Sequence, residues 1–200
     1  MSRAEEFQLV TPRLAFWQAY EPAVKCDLSC VAAVTPAGLV FIDPIPLAEE
    51  AMAALVRYAT PAAIVCTNAN HDRAAAEYGA RFSIPVCAHR AAEAQLGLKV
   101  DRLLEEGDVI GEALTVIELP GAGAGEIALH SAAGAMHVGD ALIHLEPRGL
   151  APLPDKYCTA PRELRRSLGK LLRFDFELLS FAHGLPLAAK GRSRLESLLA

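Results

Sequence analysis

Five of the six residues Asn68–Arg73 have polar side chains, and they form a dense group within the segment VCTNANHDRAAAEYG. They follow an apolar run, AIVCT, that predicts a buried strand, and loops at strand ends commonly carry functional side chains. His71 and Asp72 could act as general acid or base, with a second histidine, His183, and a second acid, Asp140, available later in the chain. Arg73 and the asparagine amides could hold an anion or stabilise an oxyanion.

A purely structural role explains part of the same segment. Asparagine is a favoured residue at a helix N-terminus, so Asn70 is expected to cap a helix that runs from about His71 to Gly79. Asp72 in the first turn would interact favourably with the helix dipole.

Composition limits the classes of protein that the chain can represent. Two hundred residues, of which 52% are hydrophobic, are enough for one sizeable core, and we expect a single domain over residues 1–200. A net charge of -5 without any basic run argues against a nucleic-acid partner. No apolar stretch reaches the roughly 20 residues that cross a bilayer, and the N-terminus lacks the apolar region of a secretory signal.

The five cysteines are dispersed in apolar surroundings and form no Cys-x-x-Cys pair. They are therefore expected to be small buried hydrophobic residues in a reducing compartment, which makes the cytoplasm the expected location. A redox role for Cys66, two residues before Asn68, is an alternative that depends on its accessibility.

The order of predicted elements indicates the architecture. Strands open the chain, helix–strand–helix segments follow, and from about Val100 the same order is repeated, ending with the amphipathic helix PRELRRSLGKLL, the strand FELLSFA and a last helix. Two similar halves, each with a sheet and outer helices, bury their apolar faces as a four-layer αββα sandwich of the α/β (α+β) class.

Six short motifs, in this order, resemble the metallo-β-lactamase fold superfamily, which includes glyoxalase II-like hydrolases. They are GLVFIDP, VCTNANHDRAAA, PVCAH, ELPGAGAGEIAL, MHVGDALI and FAHGLPLAAKGRSRLESL, and together they extend over nearly the whole chain. The resemblance implies the αββα fold and hydrolase ancestry, with substrates such as esters, thioesters or lactones.

The resemblance also implies where a dinuclear metal centre would lie, and this sequence departs from it. The positions of the three ligands to the first ion are occupied by Asn68, Asn70 and Ala122. At the second ion Asp72 and His183 are retained and Asp140 stands at the bridging position, but Arg73 replaces a histidine. His71 falls at a variable position of the motif, so the resemblance implies a solvent-exposed side chain there. Alanine offers no ligand atom and an asparagine amide is a poor zinc ligand, so two zinc ions are not expected.

The preferred interpretation of this loss is a metal-free pocket. If the Arg73 guanidinium turns inward, it can pair with the carboxylates of Asp72 and Asp140 in place of the missing cation. The alternative is a single zinc, iron or manganese ion held by Asp72, Asp140 and His183.

Three functions remain compatible with these residues. The first is a metal-free relative of the hydrolases that keeps a polar pocket; the second is a single-metal or metal-independent hydrolase; the third is a non-catalytic module that binds a small anion on Arg73. The expected pocket also contains Tyr157, which lies with Lys156 in a later loop. A small molecule is the expected partner, with an anion as one candidate, and a homo-oligomer is compatible with the sequence.

Overall fold

The computed structural model describes residues 1–200, which form two large sheets, a small sheet and four helices. The strands are β1 (Gln8–Thr11), β2 (Leu14–Glu21), β3 (Cys26–Thr35), β4 (Gly38–Ile42), β5 (Pro61–Cys66), β6 (Val86–His89), β7 (Arg102–Leu104), β8 (Val109–Ile110), β9 (Leu114–Glu118), β10 (Ile127–Ser131), β11 (Ala135–Val138), β12 (Leu142–Leu145), β13 (Gly149–Pro152) and β14 (Leu178–Phe181). The helices are α1 (Glu49–Leu55), α2 (Ala75–Phe82), α3 (Pro161–Leu171) and α4 (Gly191–Leu199).

The first sheet has the order β1-β2-β3-β4-β5-β6-β7 and the second has the order β14-β11-β10-β9-β8. Strands β4 to β7 are parallel, as are β11 and β14, whereas the other neighbours in these two sheets are antiparallel. Strands β12 and β13 form a separate antiparallel pair.

Three hydrophobic clusters separate the four layers, and strand alternation explains them. Leu39 and Phe41 of β4 pack with α1 and α2 on the outer side of the first sheet, while Val40 and Ile42 point into the space between the sheets. The third cluster lies outside the second sheet, against α3 and α4. The αββα sandwich predicted from the sequence is therefore confirmed.

Helix boundaries differ from the prediction at the polar segment. Helix α2 begins at Ala75, after Ala74, and no side chain caps it. The predicted helix start at His71, with Asn70 as its cap, is therefore wrong, because residues 67–74 form an irregular turn in which Arg73 has a φ of 34°. The segment after β6 forms only a short 3-10 turn, Arg90–Ala92, whose first residues are capped by the His89 side chain.

None of the four helices has the length and apolar character needed to cross a bilayer.

Candidate functional site

The candidate site lies at the carboxyl ends of four strands, two from each sheet. Asp43 follows β4, residues 67–73 follow β5, Asp140 follows β11 and His183 follows β14. Backbone hydrogen bonds between the sheets fix these ends, since Ser29 N donates to Ala182 O at 2.9 Å and Ile127 N donates to Thr67 O at 2.9 Å. The polar groups of the two sheets therefore meet at one edge of the sandwich.

His71, Asp140 and His183 converge at this edge. Their potential ligand atoms all lie within 4.8 Å of one another. Asp140 Oδ1 is 3.2 Å from His71 Nε2 and 3.1 Å from His183 Nε2. Neither contact has the direction of a hydrogen bond, so this buried oxygen has no hydrogen-bond partner.

The remaining nitrogen of each imidazole faces an acceptor. His71 Nδ1 lies 2.9 Å from Asp43 Oδ2, and His183 Nδ1 lies 3.0 Å from the Asp27 carbonyl oxygen. Histidines that bind metals are usually held in this way by a carboxylate or carbonyl, which directs the free nitrogen toward the ion. Both Nε2 atoms are thereby presented to the same small volume beside Asp140.

Asp43 is the buried anchor of His71. Its side chain is fully buried and accepts hydrogen bonds from the Thr67 amide at 2.8 Å and the Thr67 hydroxyl at 2.5 Å. Burial by itself raises the pKa of Asp43, but the His71 charge, the contact with His137 and the charge of Arg73 outweigh it and hold the pKa well below its ordinary value. His137 Nε2 is 3.7 Å from Asp43 and unpartnered, while its Nδ1 faces Ser180 Oγ at 3.0 Å.

The carboxylates also change the basicity of both histidines. Burial and the Arg73 charge lower the pKa of His71, but Asp43 and Asp140 outweigh them and the net pKa is raised. Burial likewise lowers the pKa of His183, and its contacts with Asp140 and Cys26 raise it to about 9. The pKa of Asp140 is well below its usual value because these two imidazoles overcome the effect of burial.

Asp72 does not join this cluster. Its Oδ1 accepts a hydrogen bond from the Arg73 amide at 2.8 Å, and its Oδ2 faces the loop at Gly97. The ligand set expected from the sequence, Asp72 with Asp140 and His183, is therefore not assembled. His71 is the third member of the cluster with Asp140 and His183. It is only 2% exposed, so the prediction of a solvent-exposed His71 is wrong.

Arg73 turns inward, but it pairs with no carboxylate. Its Nη1 donates to the carbonyl oxygens of Ser29 at 2.8 Å and Asp43 at 3.1 Å, and its Nη2 donates to Ala182 O at 3.3 Å. The expected pairing with Asp72 and Asp140 is thus replaced by bonds to the backbone of both sheets. These bonds use N–H groups that an anion on Arg73 would need.

The asparagines have different positions. Asn68 is fully buried and its amide donates to Glu126 and Asp140, whereas Asn70 is exposed. Ala122 is buried in the hydrophobic cluster outside the second sheet, and its carbonyl oxygen accepts a hydrogen bond from Thr159 N. Tyr157 is 62% exposed under the Lys156 ammonium, so it lies on the surface near that turn.

Sequence reasoning did not select Asp43, Glu126 or His137 as site residues. Asp43 could have been found, because an acid directly after a continuous apolar strand and before a proline marks a strand end at the functional edge. Glu126 and His137 have no such signal. Burial and the neighbouring negative charge of Asp140 together raise the pKa of Glu126 to about 8.

The cysteines carry no redox pair. All five are free, and the predicted burial is confirmed for Cys30, Cys66 and Cys87, whereas Cys26 and Cys158 are only half-buried. Burial raises the pKa of the Cys66 thiol, which excludes it as a reactive thiolate. Cys26 Sγ, half-buried, lies 3.5 Å from His183 Nδ1.

The superfamily resemblance implies a metal centre, and the residues present fit one ion but not two. A dinuclear centre does not fit, since Ala122 has no donor, Asn70 is exposed and Arg73 is a cation bound to carbonyls. One ion does fit the donor chemistry, because two imidazole nitrogens and one carboxylate oxygen are a common set for zinc, iron or manganese. The unpartnered Asp140 Oδ1 is the observation that favours this fit.

An αββα sandwich with a histidine–carboxylate cluster at the edge shared by its sheets has the architecture of a hydrolase-like family. A family model described as the metallo-beta-lactamase superfamily matches residues 7–200, and the chain belongs to that superfamily. No curated protein matches the sequence.

Solved structures show the same fold. A metallo-beta-lactamase from Pontibacter korlensis superposes with a TM-score of 0.75 at 17% identity, covering 97% of this chain and 98% of that one. A metallo-beta-lactamase from Erythrobacter litoralis gives 0.74 at 16% identity, covering 96% and 95%. TTHA1623, solved in a di-iron-bound form, gives 0.68 at 23% identity, covering 89% and 96%.

Proposed function

We propose that this protein is a hydrolase that works with one divalent metal ion held by His71, Asp140 and His183. The observation that carries the proposal is the geometry of Asp140 Oδ1. Two imidazole nitrogens lie 3.1 and 3.2 Å away, yet neither is directed at it as a hydrogen-bond donor. Three donors that are close together without bonding one another are suited to share a cation.

The surroundings of the three donors support the same function. Asp43 and the Asp27 carbonyl hold the two imidazoles so that both Nε2 atoms are directed toward Asp140. The side chains of His183 and Asp140 are 17% and 14% exposed, whereas His71 is 3% exposed, so the cluster opens to solvent on the His183 side. A substrate would therefore approach past His183 and Asp140.

A bound divalent cation would supply a Lewis acid that polarises a carbonyl group and makes water a better nucleophile at neutral pH. The chain itself orients the imidazoles and keeps Asp43 and Asp140 ionised. Membership of the superfamily favours esters, thioesters or lactones as substrates.

Elemental analysis of protein purified without a chelating tag tests the proposal. We expect one equivalent of zinc, iron or manganese, lost in His71→Ala and His183→Ala. Asp72→Ala is the matched control, because its carboxylate faces Gly97, and it should retain the ion. A wild-type protein that takes up no ion from an excess of each metal would overturn the proposal.

A metal-free hydrolase is the second candidate, and the charge of the histidines favours it. Because the pKa of both His71 and His183 is raised, two protonated imidazoles can balance the carboxylates in place of one divalent cation. In this case ester, thioester or lactone hydrolysis would persist in EDTA and would be lost in His183→Ala. Turnover that requires added metal would exclude the candidate.

A further inference from the structure

Asn68 stands where the superfamily resemblance places a metal ligand, but it makes a different set of bonds here. Its Nδ2 donates to Glu126 Oε2 at 2.8 Å and to Asp140 Oδ2 at 3.1 Å. Its Oδ1 accepts a hydrogen bond from the backbone N–H of Asn70 at 2.8 Å. A flipped amide would set its oxygen against the Asp140 carboxylate and its NH2 group against the backbone N–H of Asn70, so these two neighbours determine the orientation.

Glu126, one of the two acceptors of the Asn68 side-chain amide, is itself held in place. Its Oε1 accepts from the Ala141 amide at 2.8 Å, and its side chain is buried beside Gly139. The loop that carries Glu126 is joined to the Asn68 segment by Ala69 N donating to Ala124 O at 3.0 Å. The side-chain amide of Asn68 is therefore held by two connected loops, one from each large sheet.

We propose that Asn68 is a positioning residue whose amide, anchored on Glu126, holds the Asp140 carboxylate with Oδ2 turned away and Oδ1 facing His71 and His183. The terminal torsion of an aspartate is broad and roughly two-fold, so an unrestrained Asp140 could rotate. The only hydrogen bond to its Oδ2 comes from Asn68, and Oδ1 has none. Asn68 therefore selects which oxygen meets the imidazoles.

The same bridge explains how two acidic side chains lie together. Two N–H groups of one neutral amide satisfy one oxygen of each carboxyl group, and no cation is needed between Glu126 and Asp140. In this chain an amide–carboxyl cluster occupies the region of the absent first-ion ligands, and the remaining donors serve one ion. The consequence for metal affinity rests on the proposed function, while the orientation of Asp140 does not.

The test compares Asn68→Ala with Asn70→Ala. Asn70 is the same residue type two positions away, is exposed, and its side chain makes no hydrogen bond. In metal-free protein, long-range ¹H–¹⁵N spectra of the histidine rings should show displaced Nε2 signals of His71 and His183 for Asn68→Ala and unchanged signals for Asn70→Ala. Cobalt(II) titration should show a 10–100-fold loss of affinity for Asn68→Ala alone.

The two measurements separate the two proposals. Ring signals of Asn68→Ala that coincide with those of the wild type would overturn the positioning role. A wild type that binds no cobalt would overturn the single-ion function, and the ring spectra would still decide the role of Asn68. If Asn68→Ala does not fold, Asn68→Ser replaces it, since one hydroxyl donor cannot bridge both carboxyl groups; the same displacement is then expected, and its absence contradicts the role.

Discussion

Asp43 Oδ2 lies 2.9 Å from His71 Nδ1 in a region where both side chains are at most 3% exposed. Asp43→Ala would leave the Thr67 amide, the Thr67 hydroxyl and the imidazole without their acceptor. Removing one partner of a buried pair costs about 3–5 kcal/mol, and we expect a loss of this size in urea unfolding. Asp155→Ala, in an exposed pair with Arg165, is the control and should change stability by less than about 1 kcal/mol. Equal losses in both variants would contradict the anchoring role.

Metal-free protein should lose stability at alkaline pH. The pKa of His183 is about 9 in the folded state against 6.5 ordinarily, so its stabilising contribution is complete below pH 6.5 and disappears as the pH rises through 9. The difference of about 2.5 between the folded and the ordinary pKa corresponds to about 3 kcal/mol in the free energy of unfolding. Glu126, with a pKa of about 8, acts in the same direction. Urea unfolding in EDTA from pH 6 to pH 10 measures the decline, and a His183→Gln variant with an undiminished slope would contradict the assignment.

The close approach of three loops requires glycine at position 139. A Cβ there would overlap the Thr67 hydroxyl and lie 2.8 Å from Glu126 Oε1. We expect Gly139→Ala to destabilise the protein by about 1–3 kcal/mol. Gly169→Ala, at an exposed helical position with nothing within 4 Å, should instead stabilise it by about 1 kcal/mol. Thermal unfolding of the two variants should therefore shift in opposite directions.

Arg73 should be sensitive even to a change that preserves its charge. A lysine ammonium cannot reproduce the planar fork that reaches the carbonyls of Ser29, Asp43 and Ala182. An unsatisfied buried acceptor costs about 1–3 kcal/mol, so Arg73→Lys should lower the free energy of unfolding by roughly 2 kcal/mol. Arg81→Lys, whose partner Glu49 is exposed, should lower it by less than about 1 kcal/mol. An Arg73→Lys variant as stable as wild type would show that the backbone bonds are dispensable.

Thiol accessibility should divide the cysteines into two groups. Cys26 and Cys158 are half-buried, and the other three are buried. In the folded protein, DTNB should react with at most the first two, and urea should release all five. Rapid labelling of Cys66 in the folded state would restore the redox alternative for that residue.

Much of the fold could be predicted from the sequence, because strand alternation and helical periodicity reflect burial directly. Val40 and Phe41 are adjacent in sequence and belong to different cores, as a period of two requires. Helix α3 buries Leu164, Leu168 and Leu171 on one face, as its spacing predicts. Residues 67–74 have no such period, and there the predicted helix start and cap were wrong.

The sequence by itself determined the superfamily and which ligand types were lost, since an alanine supplies no ligand atom in any conformation and an asparagine amide is a poor zinc ligand. The sequence also identified Asp140 and His183 as site residues, and their side chains do lie 3.1 Å apart. Only the tertiary structure decided that His71 turns inward and Asp72 outward. The direction of a side chain in an irregular turn depends on partners distant in sequence, here the carboxylate of Asp43 for His71 and the carbonyls of both sheets for Arg73.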